Sequence, residues 1–157
     1  MSTIRVVWGT ASGPTKMSSY DAALAEANVH NYNLVAVSSV IPADATVEAV
    51  GTAPDLGPAG NRLTVVEARA TRAGPGHASA GLGWTTGDGA GLFYEAAGET
   101  DGTEIEERVR AGLEAGRELR DWDFAGESTE TVTADAEPGT YVTAVVLAVY
   151  GESEPIY

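Results

Sequence analysis

Apolar and polar residues along this 157-residue chain fall into short, distinct runs. Thr3–Trp8 is β-branched and apolar and predicts a first strand, followed by a loop over Ala11–Lys16 around Gly13-Pro14. Ser18, three residues ahead of Asp21, predicts the start of a helix through Ala22, Ala23, Leu24 and Ala27, ended by polar Asn28–Tyr32. Asn33–Ser38 reads as a buried strand that runs on through Ser39-Val40-Ile41 and stops at Pro42. Beyond a Pro/Gly loop at Ala53–Asn61, Arg62–Thr71 predicts a strand with Leu63, Val65 and Glu67 on one face. Gly74–Gly76 turns the chain into a Gly/Ala/Ser-rich strand at His77–Thr86, whose small side chains imply tight packing. Gly87-Asp88-Gly89 then signals a hairpin into Gly91–Ala97.

The clearest periodicity covers Thr103–Leu119, where Ile105, Val109, Leu113 and their neighbours form one apolar stripe at helical spacing. Glu104 with Arg108, and Glu106 with Arg110, are i,i+4 pairs in the favoured acid-first order. Glu127–Asp135 alternates Thr and Val with acids and predicts an exposed strand, while apolar Gly139–Tyr150 predicts a central one. Six or seven strands and two helices, joined mainly by hairpins, indicate an α+β fold with largely antiparallel sheets. A sandwich in which each helix covers a sheet face buries both apolar stripes. At this length one domain is expected over residues 1–157.

Composition narrows the function classes. Residues 1–87 hold six acids against five bases, whereas residues 88–157 hold 17 acids against four bases, for a net charge of -14. A surface this negative repels phosphate backbones, which argues against nucleic acid. Excess carboxylate with a single lysine, Lys16, is a composition that keeps a chain hydrated in high salt, so a halophilic cytoplasm is expected. No run approaches the roughly 20 apolar residues of a membrane span. No apolar core follows Met1–Arg5, so no secretory signal is expected either. With no cysteine there is neither a thiol nucleophile nor a Cys-ligated metal. His30 and His77 have no metal-binding spacing, the glycines form no nucleotide fingerprint, and Lys16 in its Gly/Pro loop is a poor anchor for pyridoxal phosphate.

Two adjacent serines, Ser38 and Ser39, close an apolar run just before Pro42, where burying two hydroxyls is costly unless they find partners. Local hydrogen bonding at a strand end is the ordinary explanation of such a pair. Their context, Asn33-Leu-Val-x-x-Ser38-Ser39-x-x-Pro42, resembles the pyruvoyl-dependent arginine decarboxylases. So do Ser19-Tyr-Asp21-Ala-Ala-Leu24, Glu67-Ala-Arg-Ala, the small-residue strand at His77–Gly83 and Gly91-Leu-Phe-Tyr-Glu95. Ala43, where relatives carry a second proline, and Asn28-Val-His30-Asn31, where they carry a glycine-rich turn, depart from the pattern.

The resemblance implies a four-layer αββα sandwich and a trimer, or a dimer of trimers, with sites between subunits. It also implies self-cleavage into residues 1–38 and 39–157. Ser39 would attack the Ser38 carbonyl, and β-elimination would turn residue 39 into a pyruvoyl group, the only cofactor, with no metal and no pyridoxal phosphate. Such a step needs a strained peptide and donors for the oxyanion, which a tight turn after a strand would provide. The implied enzyme is a carboxy-lyase that converts L-arginine to agmatine and CO2 on the route to polyamines. Asn33 is the candidate donor to the cleavage turn, or else an ordinary strand-entry residue. Glu95, flanked by apolar residues and so partly desolvated, is the candidate proton donor, ahead of Glu99 in its more polar stretch. Asp21 is placed either to take a guanidinium bidentately or to cap its helix. Tyr32 and Val37 are further candidates for lining the pocket. A pyruvoyl enzyme acting on another amino acid such as histidine, and a non-enzymatic acidic binding module, remain the alternatives.

Overall fold

The computed structural model describes residues 2–157; Met1 lies outside them. Nine strands and two helices follow one another as β1 (Ser2–Gly13), α1 (Lys16–Glu26), β2 (Asn33–Ala36), β3 (Val40–Ile41), β4 (Ala45–Gly51), β5 (Arg62–Ala73), β6 (Gly76–Thr86), β7 (Gly91–Gly98), α2 (Gly102–Glu118), β8 (Gly126–Ala136) and β9 (Tyr141–Tyr150). They build a five-stranded sheet in the order β2-β5-β9-β1-β4 and a four-stranded sheet in the order β3-β7-β6-β8. Only β1–β4 and β2–β5 pair in parallel; every other ladder is antiparallel.

Residue alternation along β9 explains the layering. Residues 142–149 are all buried, because both faces of this central strand are covered. Val142, Ala144, Val146 and Ala148 point into the core between the sheets, with Ile4, Val6, Leu82 and Phe93. Val145, Leu147 and Val149 point the other way, against Ala23, Leu24 and Ala27 of α1. On the far side, Ile105, Val109 and Leu113 of α2 pack on Leu92 of the smaller sheet. Each such side chain contributes roughly 1.5–3 kcal/mol on burial. The layers are therefore α1, five-stranded sheet, four-stranded sheet and α2, the expected αββα sandwich.

Both helices sit close on glycine. A Cβ on Gly9 would come within 2.2 Å of the Ala23 carbonyl oxygen of α1, and one on Gly83 within 2.3 Å of Val109 in α2. The small residues of His77–Thr86 thus serve close packing, as their pattern implies.

Several boundaries differ from the sequence reading. The first strand runs through Ala11–Gly13, because its far half is paired along β9. Thr15, not Ser18, caps α1: its Oγ1 accepts the Ser18 N–H at 3.1 Å, while Ser18 Oγ accepts the Thr15 N–H at 3.0 Å. Asp101 caps α2 by accepting the Glu104 N–H at 3.0 Å. The edge strand β4 carries no clean alternation and is held by parallel pairing to β1, a long-range partner that local pattern does not announce. The largest difference concerns Asn33–Ile41. It is not one buried strand but two short edge strands in different sheets, β2 largely exposed and β3 burying only Ile41.

Candidate active site

The segment joining β2 to β3 crosses from one sheet to the other. On one side the Val37 N–H donates to the Val65 carbonyl of β5 at 2.9 Å. On the other, the Ser39 carbonyl accepts the Phe93 N–H of β7 at 2.7 Å. Three residues reach at most about 10 Å when extended. Stacked sheets lie about 10 Å apart, so the crossing has little slack. The Ser38–Ser39 peptide lies in this bridge, with Ser38 exposed and Ser39 half-buried. In place of the expected tight turn after a strand there is an extended crossover with a bend at Ser39.

Glu95 lies on the neighbouring strand. Val40 pairs with Leu92 in antiparallel register, and the Ser39 bond to Phe93 falls two residues short of Glu95 on that strand. Glu95 shares the face of Phe93 and Ala97, toward the gap between the sheets, and is half-buried. Its charge is felt by Tyr150, whose hydroxyl is pushed up to about 12, by burial first and by Glu95 second. Tyr150 Oη donates to the Val40 carbonyl at 2.9 Å, and its ring meets Phe93 edge-on at 6.1 Å. Tyr150 was not among the residues singled out from the sequence. It closes an apolar run, and the one available signal is a hydroxyl at the end of an otherwise aliphatic strand.

The remaining candidates lie elsewhere. Asp21 is exposed on α1, six residues beyond the Thr15 cap, so helix capping is excluded as its role. The five-stranded sheet separates it from the gap that Glu95 faces. Beside it, Tyr20 Oη donates to Glu67 at 2.6 Å and lies under the Arg69 guanidinium, 4.5 Å away. Burial, and then the Glu67 carboxylate, raise the Tyr20 hydroxyl to about 12.

The expected hydrogen bond from Asn33 to the cleavage turn is not made within the chain. Asn33 Nδ2 donates to the Gly60 carbonyl at 2.7 Å, since Asn33 opens β2 five residues short of Ser38 and faces the 53–61 loop. Tyr32 is spent on the same loop, donating to the Gly57 carbonyl at 2.8 Å. Val37 is exposed beside Ser38, and Glu99 lies exposed beyond the end of β7. His77 pairs with Asp135 at 2.5 Å, while His30 Nδ1 is buried without a partner beside a polar pocket lined by Asn28, Asn31 and Asp55. Among residues 2–157 no group of three or more His, Cys, Asp or Glu could hold a metal ion, and no helix is long and apolar enough to cross a membrane.

A pyruvoyl group fits this arrangement. Residue 39 is anchored through its own carbonyl, independently of the anchor at Val37, so the bond between them can open without releasing either side. A cavity of about 250 Å³ adjoins Ser39 on the α2 side of β7, the face opposite Glu95, walled by Leu92, Tyr94, Leu113 and Arg120. Residues 3–155 match the family described as "Pyruvoyl-dependent arginine decarboxylase". A protein of that name from Halobacterium salinarum is 62% identical over 160 residues, covering 100% of this chain and 99% of its own. Those of Pyrococcus horikoshii and Thermococcus kodakarensis are 36% and 35% identical, covering 89% and 90% of this chain and 90% and 91% of theirs. This chain belongs to the pyruvoyl-dependent arginine decarboxylase family.

Proposed function

We propose that the chain cuts itself between Ser38 and Ser39, and that the product decarboxylates L-arginine to agmatine and CO2. The observation carrying this reading is the Ser38–Ser39 bond bridging two independently anchored sheets alongside Glu95. Ser39 Oγ attacks the Ser38 carbonyl carbon, and the acyl group moves from nitrogen to oxygen as an ester. β-Elimination then breaks the Ser39 Cβ–Oγ bond. Ser38 leaves as a carboxylate, residue 39 becomes dehydroalanine, and uptake of water with loss of ammonia gives the terminal ketone. Once formed, the pyruvoyl group supplies the electron sink for the carbon that loses CO2.

Glu95 holds the proton that this carbon takes up. A carboxylic acid on the strand that pairs with β3 is a group of the right kind to deliver it. Asp21 binds the guanidinium through two parallel hydrogen bonds, a geometry that discriminates arginine from lysine. Because a whole sheet separates Asp21 from the gap beside Ser39, a substrate spans both only across a subunit boundary. That supports a homo-oligomer, a trimer or dimer of trimers, with sites between copies. Asn33, whose amide holds the 53–61 loop within its own chain, acts at residue 39 only if a neighbouring copy presents it. The carboxylate-rich second half suits a salty cytoplasm.

Denaturing mass spectrometry tests the reading. Fragments 1–38 and 39–157 should replace the 16.1 kDa chain, with agmatine formed from arginine. A chain that stays intact through prolonged incubation overturns the self-processing claim. Cleaved protein that prefers histidine overturns the substrate alone.

A further inference from the structure

Three hydrogen bonds converge on residues 37–40, and cleavage would divide them unequally. The Val37 N–H bond to Val65 would remain with fragment 1–38 at its cut end. The Ser39 carbonyl to Phe93 N–H and the Val40 carbonyl to Tyr150 Oη would remain with fragment 39–157. That new amino terminus leads into β3, only two residues long, paired at Val40 with Leu92 and at Ile41 with Gly91. Such a short edge strand is a weak anchor for a reacting group. Before the cut, residue 39 is also tethered through Ser38 to the other sheet. Afterwards that tether is gone.

We propose that Tyr150 is a positioning residue that clamps the amino-terminal end of fragment 39–157 and aims residue 39 toward Glu95. The proposal rests on the self-processing reading above. Tyr150 comes from β9, in the five-stranded sheet, whereas Phe93 belongs to β7 in the other. Two successive carbonyls are thus gripped from two different sheets. The only soft torsions between those carbonyls are φ and ψ of Val40, so gripping both leaves that residue one conformation. The peptide plane carrying the residue 39 carbonyl is then fixed, and with it the direction of the group attached at residue 39. Phe93 links the parts: its N–H holds Ser39, its ring packs edge-on against Tyr150, and Glu95 stands two residues on along the same face. Burial first, and Glu95 second, push the Tyr150 hydroxyl up to about 12, so it is a donor near neutral pH.

Tyr150→Phe removes the hydroxyl and keeps the ring. In full-length protein, self-cleavage should stay within about twofold of wild type, because the intact crossover still holds residue 39. In the cleaved protein kcat for arginine should fall about tenfold with KM within about twofold, as expected for loss of one hydrogen bond that orients a reacting group. Hydrogen–deuterium exchange should rise about tenfold in the peptide covering residues 39–45 and stay unchanged in β9 and β5. Wild-type kcat and exchange in the cleaved variant would overturn the clamp. So would a loss of cleavage matching the loss of kcat, or a general rise in exchange, either of which marks a merely structural tyrosine. Wild-type protein that never cleaves refutes the parent reading; a cleaved wild type beside an unaffected Tyr150→Phe refutes this one alone.

Discussion

The two outer layers of this sandwich are built from opposite materials. At its buried centre helix α1 meets its sheet through neutral hydroxyls: fully buried Ser19 and Thr143 share a 2.7 Å hydrogen bond, and Thr143 shares another with Thr71. Helix α2, around its apolar stripe, is tied by ions to β8, the edge strand of its sheet. Arg110 and Arg117 converge on Glu127 at 2.5 and 3.0 Å, and Glu104–Arg108 and Glu106–Arg110 form the pairs predicted from their spacing. Both helices nonetheless dock on a glycine. The difference teaches that the lopsided charge along the chain is a division of labour between layers. The nearly neutral half holds α1 and the crossover, and the acidic half holds a helix fastened electrostatically and coated for salt.

The largest test concerns what joins the layers. Ser39→Ala should abolish self-cleavage and lower activity at least about 10³-fold, while the melting temperature stays within about 2 °C. Retained activity, read in a coupled CO2 assay, would remove residue 39 from the chemistry. The next effect separates the two docking glycines. Gly9→Ala drives a methyl into a helix backbone carbonyl that cannot rotate away and should cost about 3 kcal/mol or more. Gly83→Ala meets a valine side chain that can, and should cost about 1–2 kcal/mol in urea titrations. Equal costs would mean that α1 yields as easily as α2.

Asp21→Asn comes third. On an exposed turn of α1 it should leave folding alone and raise KM for arginine by about 10- to 100-fold, with kcat less affected. An unchanged KM would move guanidinium recognition elsewhere.

The smallest effect is at Glu127. Its carboxyl lies below the ordinary value of 4.5, held there chiefly by the Arg117 hydrogen bond, against burial and with help from Arg110. A lowered folded-state value means its contribution is complete above about pH 4.5 and is lost as pH falls through the lowered value. Glu127→Gln should therefore cost about 1 kcal/mol near neutral pH, less in molar salt, and flatten the acid limb of the stability curve. The Ser19, Thr71 and Thr143 hydroxyls do not titrate, so Ser19→Ala should lower stability by the same amount at pH 4 and pH 7. A pH-dependent loss there would erase the contrast between the layers.

Much of the architecture is legible in the chain. The long runs Arg62–Ala73 and Tyr141–Tyr150 announce strands, the second apolar almost throughout as a strand covered on both faces must be, and the stripe of Ile105, Val109 and Leu113 announces α2. The short edge strands do not announce themselves. β2 and β4 expose most of their residues, β3 exposes Val40 but buries Ile41, and all three owe their existence to partners such as Leu92 for Val40, about fifty positions away. The site divides in the same way. Ser38, Ser39 and Glu95 stand out by chemistry and context, and the fold bonds Ser39 to Phe93, two residues from Glu95 on the same strand. Asn33 stands out equally, yet its amide is engaged by Gly60. Tyr150 passes unnoticed as the end of an apolar strand.

The sequence by itself determined the helices, the long strands, the charge asymmetry and the Ser38–Ser39 pair. Periodicity, small-residue runs and composition act over a few residues and need no partner to be read. Only the tertiary structure decided that Ser38–Ser39 bridges two sheets, that Tyr150 grips the Val40 carbonyl, and that a sheet separates Asp21 from the gap Glu95 faces. Each of those facts depends on segments far apart in the chain, and their meeting is set by how two sheets stack and register, which no local pattern encodes.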